Sequence, residues 1–356
     1  MTWILPRYVI RFAFFAMMGA VVGLWLLQMV FAYLSELENL SETYTVKDAL
    51  MFILYRSPYF LVQFIPTGAL LGAVIGLGLL AGNSELVVMR AGGVSVYRII
   101  SYAMLPAFLF VLIALGINQF ILPVTNDKAS QIVNRLDDTR LFSVNGYWSV
   151  NHTDKGREVV YISYADSEGK LGVTKRYRLD VDSNLVGVTH AKSGVFAGEG
   201  WQLTEVAQLD IGGRGVQRSF DDYAMLSLPI APTDVHLLTK EAEDLSLSDL
   251  YAHGQLMKSQ SKRSLRHEVA FWQKLLSPFA VLSLVLVASS FVFGSLRSQG
   301  LGVRIVMALL SGLLFSYLTD LSGFVAIAMG ISPFLMALSP IVISAMIGFY
   351  LLQRCT

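Results

Sequence analysis

Histidine and cysteine, the usual ligands of zinc, are rare in this sequence. His267 and Glu268 begin like the helical zinc motif of metalloproteases, but the second histidine that this motif needs is replaced by Phe271. The five histidines are scattered, and the single cysteine, Cys355, provides no thiolate cluster. We therefore expect no metal site on this chain.

Residues that could hydrolyse a bond or a nucleotide are equally sparse. Ser259 and Lys262 have the Ser-x-x-Lys spacing of serine acylases, but this signature is loose and the stretch is typical of a polar linker. An intramembrane aspartyl protease needs two facing aspartates, and the apolar stretches offer only Asp320. No Gly-x-x-x-x-Gly-Lys-Ser/Thr motif occurs, so the chain does not bind ATP through a P-loop. We expect no catalytic residue and no cofactor on this chain.

Charged side chains in and beside the apolar stretches could bind an anionic headgroup. Arg56 and Asp320 fall in the outer halves of two such stretches, where a charge costs roughly 2.5 to 3.5 kcal/mol on insertion scales. We expect them to face a hydrated cavity and to pair directly or through water, unless Arg56 only snorkels to the interface. Lys128, Ile132 and Arg135 share one helical face, which suits lipid phosphates beside acyl chains but also an ordinary interfacial basic cluster.

The elements that must position these residues are membrane spans. The chain of 356 residues is 54% apolar and 15% charged, and its net charge of +1 gives no support for nucleic-acid binding. Six stretches reach the roughly 20 residues that cross a bilayer: about 9–34, 49–81, 96–122, 269–293, 303–329 and 333–352. In the second of them, Gly68, Gly72 and Gly76 repeat every four residues, which predicts close packing of another helix.

A polar insert separates the first three spans from the last three. Lys and Arg in the loops at 82–98 and 294–304 and near both ends of the chain predict that these parts are cytoplasmic and the insert external. Alternating runs about ten residues apart between Tyr147 and Leu228 predict antiparallel strands, and a helix capped by Ser246 or Ser248 should follow. The expected fold is membrane α-helical, six transmembrane helices in a 3+3 arrangement with an inserted all-β domain, divided as 1–122, 123–268 and 269–356.

Two motifs carry a resemblance to a known family. Ser84-Glu-Leu-Val-Val-Met-Arg-Ala-Gly-Gly93, after a Gly-rich span, resembles the cytoplasmic segment of the LptF/LptG family of lipopolysaccharide export permeases. Phe293-Gly-Ser-Leu-Arg-Ser-Gln-Gly-Leu-Gly-Val-Arg304 resembles the loop between spans four and five in the LptG branch. With the three-span, external β-domain, three-span layout, the resemblance covers nearly the whole chain.

The first motif should form a short helix at about 84–92. Asn83 or Ser84 can cap it, Glu85 complements the positive end of the helix dipole, and Gly92 ends it. A helix of two turns is too short to be stable alone in water, so it needs a partner surface. The resemblance implies a coupling helix that docks on a cytoplasmic ATPase, LptB, whereas a helix lying on the inner leaflet is the alternative. The expected coupling residues are Ser84, Glu85, Leu86, Met89 and Arg90.

The resemblance further implies a permease subunit of an ABC transporter in the inner membrane of a Gram-negative bacterium. Its partners would be LptF as heterodimer, two copies of LptB that bind ATP and Mg²⁺, and the single-span LptC beside span one. The periplasmic domain would be a β-jellyroll, and spans one and five would form lateral gates for lipopolysaccharide, which is extracted and passed to a periplasmic bridge. A membrane-anchored binding or scaffold protein is the rival hypothesis.

The chain departs from this family where lipid phosphates would be bound. Ala32 and Tyr59 stand where related sequences carry lysines, so those contacts cannot be transferred. The lipid-binding prediction therefore moves to other side chains. Asp320 lies where the LptG pattern also has an acid, and this resemblance implies a structural or gating role for it. The predicted lipid contacts are Arg56, Lys128, Ile132 and Arg135.

Overall fold

The six predicted spans are present as long helices. A computed structural model describes residues 4–41, 44–137, 146–153, 156–166, 169–198, 200–212, 215–227, 232–259, 263–294 and 299–354. Within them, six helices are long and apolar enough to cross a membrane. Five of these are α1 (Ile4–Glu36), α2 (Val46–Gly82), α8 (Leu265–Phe293), α9 (Leu301–Met329) and α10 (Pro333–Gln353).

The third span is a helix that continues beyond the membrane-spanning stretch. It runs through α4 (Val96–Gly116), a π-helical segment (Ile117–Ile121) and α5 (Leu122–Asp137) without a break. The predicted domain boundary after residue 122 therefore falls inside a continuous helix. A helix rises 1.5 Å per residue, so α5 adds length to this helix beyond α4. Helix α5 thereby carries the chain out of the spans and into the insert.

Small residues bring α1 and α2 together, as the glycine repeat predicts. Gly68, Gly72 and Gly76 are buried in α2, and a Cβ added at Gly72 would lie 2.2 Å from the Cα of Met17 in α1. A Cβ at Gly68 would likewise meet a Val21 side-chain carbon at 2.4 Å. Backbones can approach this closely only where no side chain intervenes.

The insert contains the expected antiparallel β domain. Its strands are β1 (Tyr147–Thr153), β2 (Gly156–Ile162), β3 (Lys170–Leu171), β4 (Thr174–Leu179), β5 (Leu185–Phe196), β6 (Trp201–Gly212) and β7 (Gly215–Leu226). The described strands form one hydrogen-bonded sheet in the order β1-β2-β4-β5-β6-β7, with β3 pairing β5. Trp201, buried against Val160, Leu203 and Val206, donates its indole N–H to the carbonyl of Gly169 at 3.2 Å.

Two helices lead from the sheet back to the spans. They are α6 (Pro232–Thr239) and α7 (Leu247–Ser259). The Ser246 hydroxyl accepts a hydrogen bond from the Asp249 amide at 3.1 Å, and the Asp249 carboxylate accepts one from the Ser246 amide at 3.4 Å. This reciprocal capping confirms Ser246 as the residue that starts α7.

Candidate coupling helix and outer cation sites

The helix that follows α2 is α3 (Glu85–Ala91), close to its predicted bounds. Its start differs from the predicted cap, because Ser84 adopts a left-handed conformation with φ 62° and its side chain makes no capping bond. Instead Asn83 donates its side-chain amide to the Glu85 carboxylate at 3.4 Å. The backbone turn, together with Glu85 in the first helical position, therefore begins α3.

The buried face of α3 lies against the spans of this same chain. Leu86 and Met89, which the sequence suggested as partner contacts, are 3% and 7% exposed and belong to the main core of the bundle. The exposed apolar side chains are Val87 at 51% and Val88 at 70%, and Arg90 is also exposed. The i, i+3 spacing of Leu86 and Met89 thus marks the inward face, because a short helix beside a large bundle first buries its apolar side there.

The end of α3 is a Schellman motif. The backbone amide of Val94 donates a hydrogen bond to the carbonyl of Met89 at 3.2 Å, and the backbone amide of Gly93 donates one to the carbonyl of Arg90 at 3.0 Å. Gly93 has φ +86°, whereas Gly92 has φ −74°. The residue whose conformation requires glycine is therefore Gly93, one position later than predicted.

Gly93→Ala should destabilise α3, whereas Gly92→Ala should not. A Cβ at Gly93 is strained by its positive φ, at a cost of about 1–2 kcal/mol. At Gly92 the added carbon would meet only the carbonyl oxygens of Met89 and Val88, at 3.4 and 3.5 Å. Hydrogen exchange of the α3 amides should become faster in Gly93→Ala and stay near the wild-type rate in Gly92→Ala. Equal exchange in the two variants would contradict this assignment.

At the other end of α2, Arg56 is engaged by the insert. Its Nη1 lies 3.0 Å from the Oδ1 of Asp244, and its guanidinium lies over the Tyr59 ring, 4.7 Å from the centroid. The predicted pairing of Arg56 with Asp320 is not seen in the described residues. Asp320 lies on an exposed face of α9. The carboxylate that meets Arg56 comes from the loop before α7, 188 residues away in the chain.

The other predicted lipid contacts lie on α5. The Lys128 ammonium is 5.6 Å from the centroid of the Tyr55 ring, and Tyr55 is the neighbour of Arg56 in α2. Lys128 is exposed and Ile132 is half-buried. The side chain of Arg135 lies outside the described residues. Arg56 and Lys128 therefore border the same contact between α2 and α5, as an anion-binding edge would require.

Sequence reasoning missed the polar groups beneath this edge. Asn126, 2% exposed, donates to the Asp244 Oδ1 at 3.1 Å. The ammonium group of Lys274 in α8 donates hydrogen bonds to the backbone carbonyls of Glu243 and Leu245, at 2.8 and 2.6 Å. The acidic residues Glu241, Glu243 and Asp244 were a visible signal, since a carboxylate that becomes partly buried, as Asp244 does, needs a cationic or hydrogen-bonding partner.

The histidines do not assemble a metal site in the described part of the chain. No group of three or more His, Cys, Asp or Glu side chains there could hold a metal ion. The rings of His253 and His267 stack with their centroids 3.7 Å apart, and burial lowers the pKa of His253, which favours the neutral ring. Glu268 instead pairs with Arg263 at 2.7 Å. Lys262, Cys355 and residues 295–298 lie outside the described residues.

Comparison with known proteins identifies the family. The model of the family described as lipopolysaccharide export system permease LptF/LptG matches residues 7–354. The chain is 28% identical to the lipopolysaccharide export system permease protein LptG of Escherichia coli strain K12 over 357 residues, which cover 99% of this chain and 98% of that protein. It is also 28% identical to the LptG protein of Haemophilus influenzae over 358 residues, with 98% of each chain covered.

These matches agree with the six candidate membrane helices and with the antiparallel β-sheet inserted between the third and the fourth of them. A permease family of an export system makes the chain a transport subunit rather than an enzyme. Since the family model spans almost its whole length, the chain belongs to the LptF/LptG family of lipopolysaccharide export permeases.

Proposed function

We propose that this chain is the LptG-type permease subunit of an ATP-driven transporter that extracts lipopolysaccharide from the inner membrane and passes it to a periplasmic bridge. The observation that carries the proposal is the geometry of α3. Two buried side chains fix this helix to the spans, while Val87, Val88 and Arg90 face outward. A coupling helix needs both a buried attachment to its own spans and an exposed face for a partner, because a partner can move the spans only through an element that is rigidly attached to them.

In this proposal α3 docks on the ATPase LptB, and ATP and Mg²⁺ bind there rather than on this chain. LptF completes the membrane pore as a heterodimer partner, and LptC places its single helix beside α1. The termini and α3 lie in the cytoplasm and the β domain lies in the periplasm. This orientation is supported by the positive-inside distribution of Lys and Arg.

Arg56, Lys128, Ile132 and Arg135 are the proposed contacts for the lipid headgroup and adjoining acyl chains, and Asp320 is proposed to act in gating. The apolar outer surfaces of α1 and α9 favour their assignment as gates, because both helices leave most of their length unburied within this chain. Large apolar surfaces of this kind are covered either by lipid or by a neighbouring subunit.

Purification of the full chain from mild detergent tests the proposal. We expect an ATPase, a second six-span permease and lipopolysaccharide to co-purify and to be identified by mass spectrometry. Recovery of the chain with a periplasmic protein only, and with neither an ATPase nor a lipid, would instead favour a membrane-anchored scaffold.

A further inference from the structure

A segment of the insert is fastened to the outer ends of three spans. We call residues 240–249 the clasp segment. The Lys240 ammonium lies 2.5 Å from the Asp127 carboxylate of α5, and Lys274 of α8 binds two of the segment's backbone carbonyls. Arg56 of α2 binds Asp244. The segment therefore joins α2, α5 and α8 to the helices that lead to the β domain.

Asp244 is the central side chain of this junction. Its Oδ1 accepts hydrogen bonds from the guanidinium of Arg56 and from the buried amide of Asn126, at 3.0 and 3.1 Å. The side chains of Arg56 and Asp244 are only 27% and 22% exposed. Loss of either partner would leave the other partly buried charge without its counterion, which is more costly than loss of an exposed ion pair.

The pair leaves part of the guanidinium unused. Among the described residues, Arg56 meets Asp244 through one nitrogen and one oxygen only. A guanidinium has five N–H donors in a planar fork, and a phosphate can accept two of them in parallel. Because a quarter of the Arg56 side chain remains exposed beside Lys128, an anionic headgroup can reach it without unfolding of the clasp segment.

We propose that Asp244 is a positioning residue for Arg56 and competes with the lipid phosphate for it. Binding of a phosphorylated headgroup replaces the single carboxylate contact by a bidentate phosphate contact and releases the clasp segment from α2. Headgroup occupancy in the membrane is thereby communicated to the β domain through the junction. The inference rests on the proposed lipid-binding role of Arg56 and adds the group that regulates it.

Asp244→Asn tests the exchange in the full chain purified with its complex. The asparagine keeps the shape of the side chain but removes the competing charge. We expect phosphorylated lipid A to bind about three- to tenfold more tightly, which corresponds to roughly 0.7–1.4 kcal/mol, with no change for dephosphorylated lipid A. In an Arg56→Gln background the same substitution should have no effect on either lipid.

Glu243→Gln is the matched control. It removes the same charge from the adjacent residue, whose carboxylate contacts Arg266 at 3.1 Å instead of Arg56. Equal tightening in Glu243→Gln would show that long-range electrostatics alone acts, and would overturn the exchange. Unchanged or weaker binding of phosphorylated lipid A by Asp244→Asn would overturn it as well.

If Asp244→Asn does not fold, Arg56→Lys supplies the test. Lysine keeps the positive charge but loses the fork, so binding of phosphorylated lipid A should weaken about threefold or more while dephosphorylated lipid A binds as before. Equal changes for both lipids would overturn the proposal. The transport role is judged separately, by co-purification of the ATPase and lipid, and survives failure of this test.

Discussion

Glu85→Lys should strongly weaken coupling between ATP hydrolysis and lipopolysaccharide release while the chain still folds. Glu85 begins α3 and lies beside Asn83, so a lysine there removes the favourable dipole interaction and inverts the charge that α3 presents to the proposed ATPase partner. Loss of one charge-assisted contact with the proposed ATPase, worth about 1.5–3 kcal/mol, corresponds to a fall in the affinity of α3 for that partner of roughly ten- to 150-fold. Lipid release from proteoliposomes and ATP hydrolysis by the reconstituted complex measure the effect.

The fold of this variant should persist because Leu86 and Met89 hold α3 in the core of the bundle. Glu38→Lys is a control with the same charge change at an exposed position. Glu38 lies between α1 and α2, at the end of α2 opposite to α3, so its substitution should leave coupling intact. Wild-type coupling in Glu85→Lys would show that α3 is no coupling element and would favour the interpretation as a helix on the inner leaflet. Similar monodispersity and melting temperature of the two variants would exclude misfolding as the cause.

Gly72→Ala should destabilise the packing of α1 on α2 by about 3 kcal/mol, although it adds a single carbon. That carbon would lie 2.2 Å from the Cα and 2.6 Å from the backbone nitrogen of Met17, so relief requires movement of α1 rather than rotation of a side chain. Overpacking typically costs about 1–3 kcal/mol, and a clash with backbone belongs at the upper end. Thermal unfolding of the chain in detergent and the yield of folded protein measure the loss.

Gly23→Ala is the matched control for this prediction. Gly23 lies in α1, and a Cβ there would meet nothing within 4 Å in this chain. Since alanine favours a helix over glycine by about 0.8–1 kcal/mol, Gly23→Ala should be neutral or slightly stabilising. A melting temperature for Gly72→Ala equal to that of Gly23→Ala would mean that α1 and α2 do not pack as the structure describes.

Helix α3 illustrates how much of a local element sequence patterns can predict. Its position and length follow from a short amphipathic stretch between two apolar runs, and its end follows from a glycine pair. The spacing of Leu86 and Met89 correctly places them on one face, but spacing cannot tell whether that face meets another protein or the chain's own spans. Burial decides this, and both side chains lie in the bundle core.

The partner of Arg56 was beyond sequence analysis for a related reason. Among several acids, Asp320 was the plausible counterion because it is the acid predicted within a span. Only the path of the chain through the β domain and back brings Asp244 beside α2. An ion pair between residues so distant in sequence depends on how the insert docks, and no local periodicity encodes that docking.

The sequence by itself determined the six spans, the inserted antiparallel domain, the close contact at Gly68, Gly72 and Gly76 and the place of helix α3. These features arise from local patterns, namely hydropathy over about 20 residues, alternation along strands and small residues at helical spacing. The tertiary structure alone decided the strand order, the inward face of α3 and the binding of Arg56 to Asp244. Each of these depends on contacts between segments far apart in the chain, whose free energy is set by how whole elements pack.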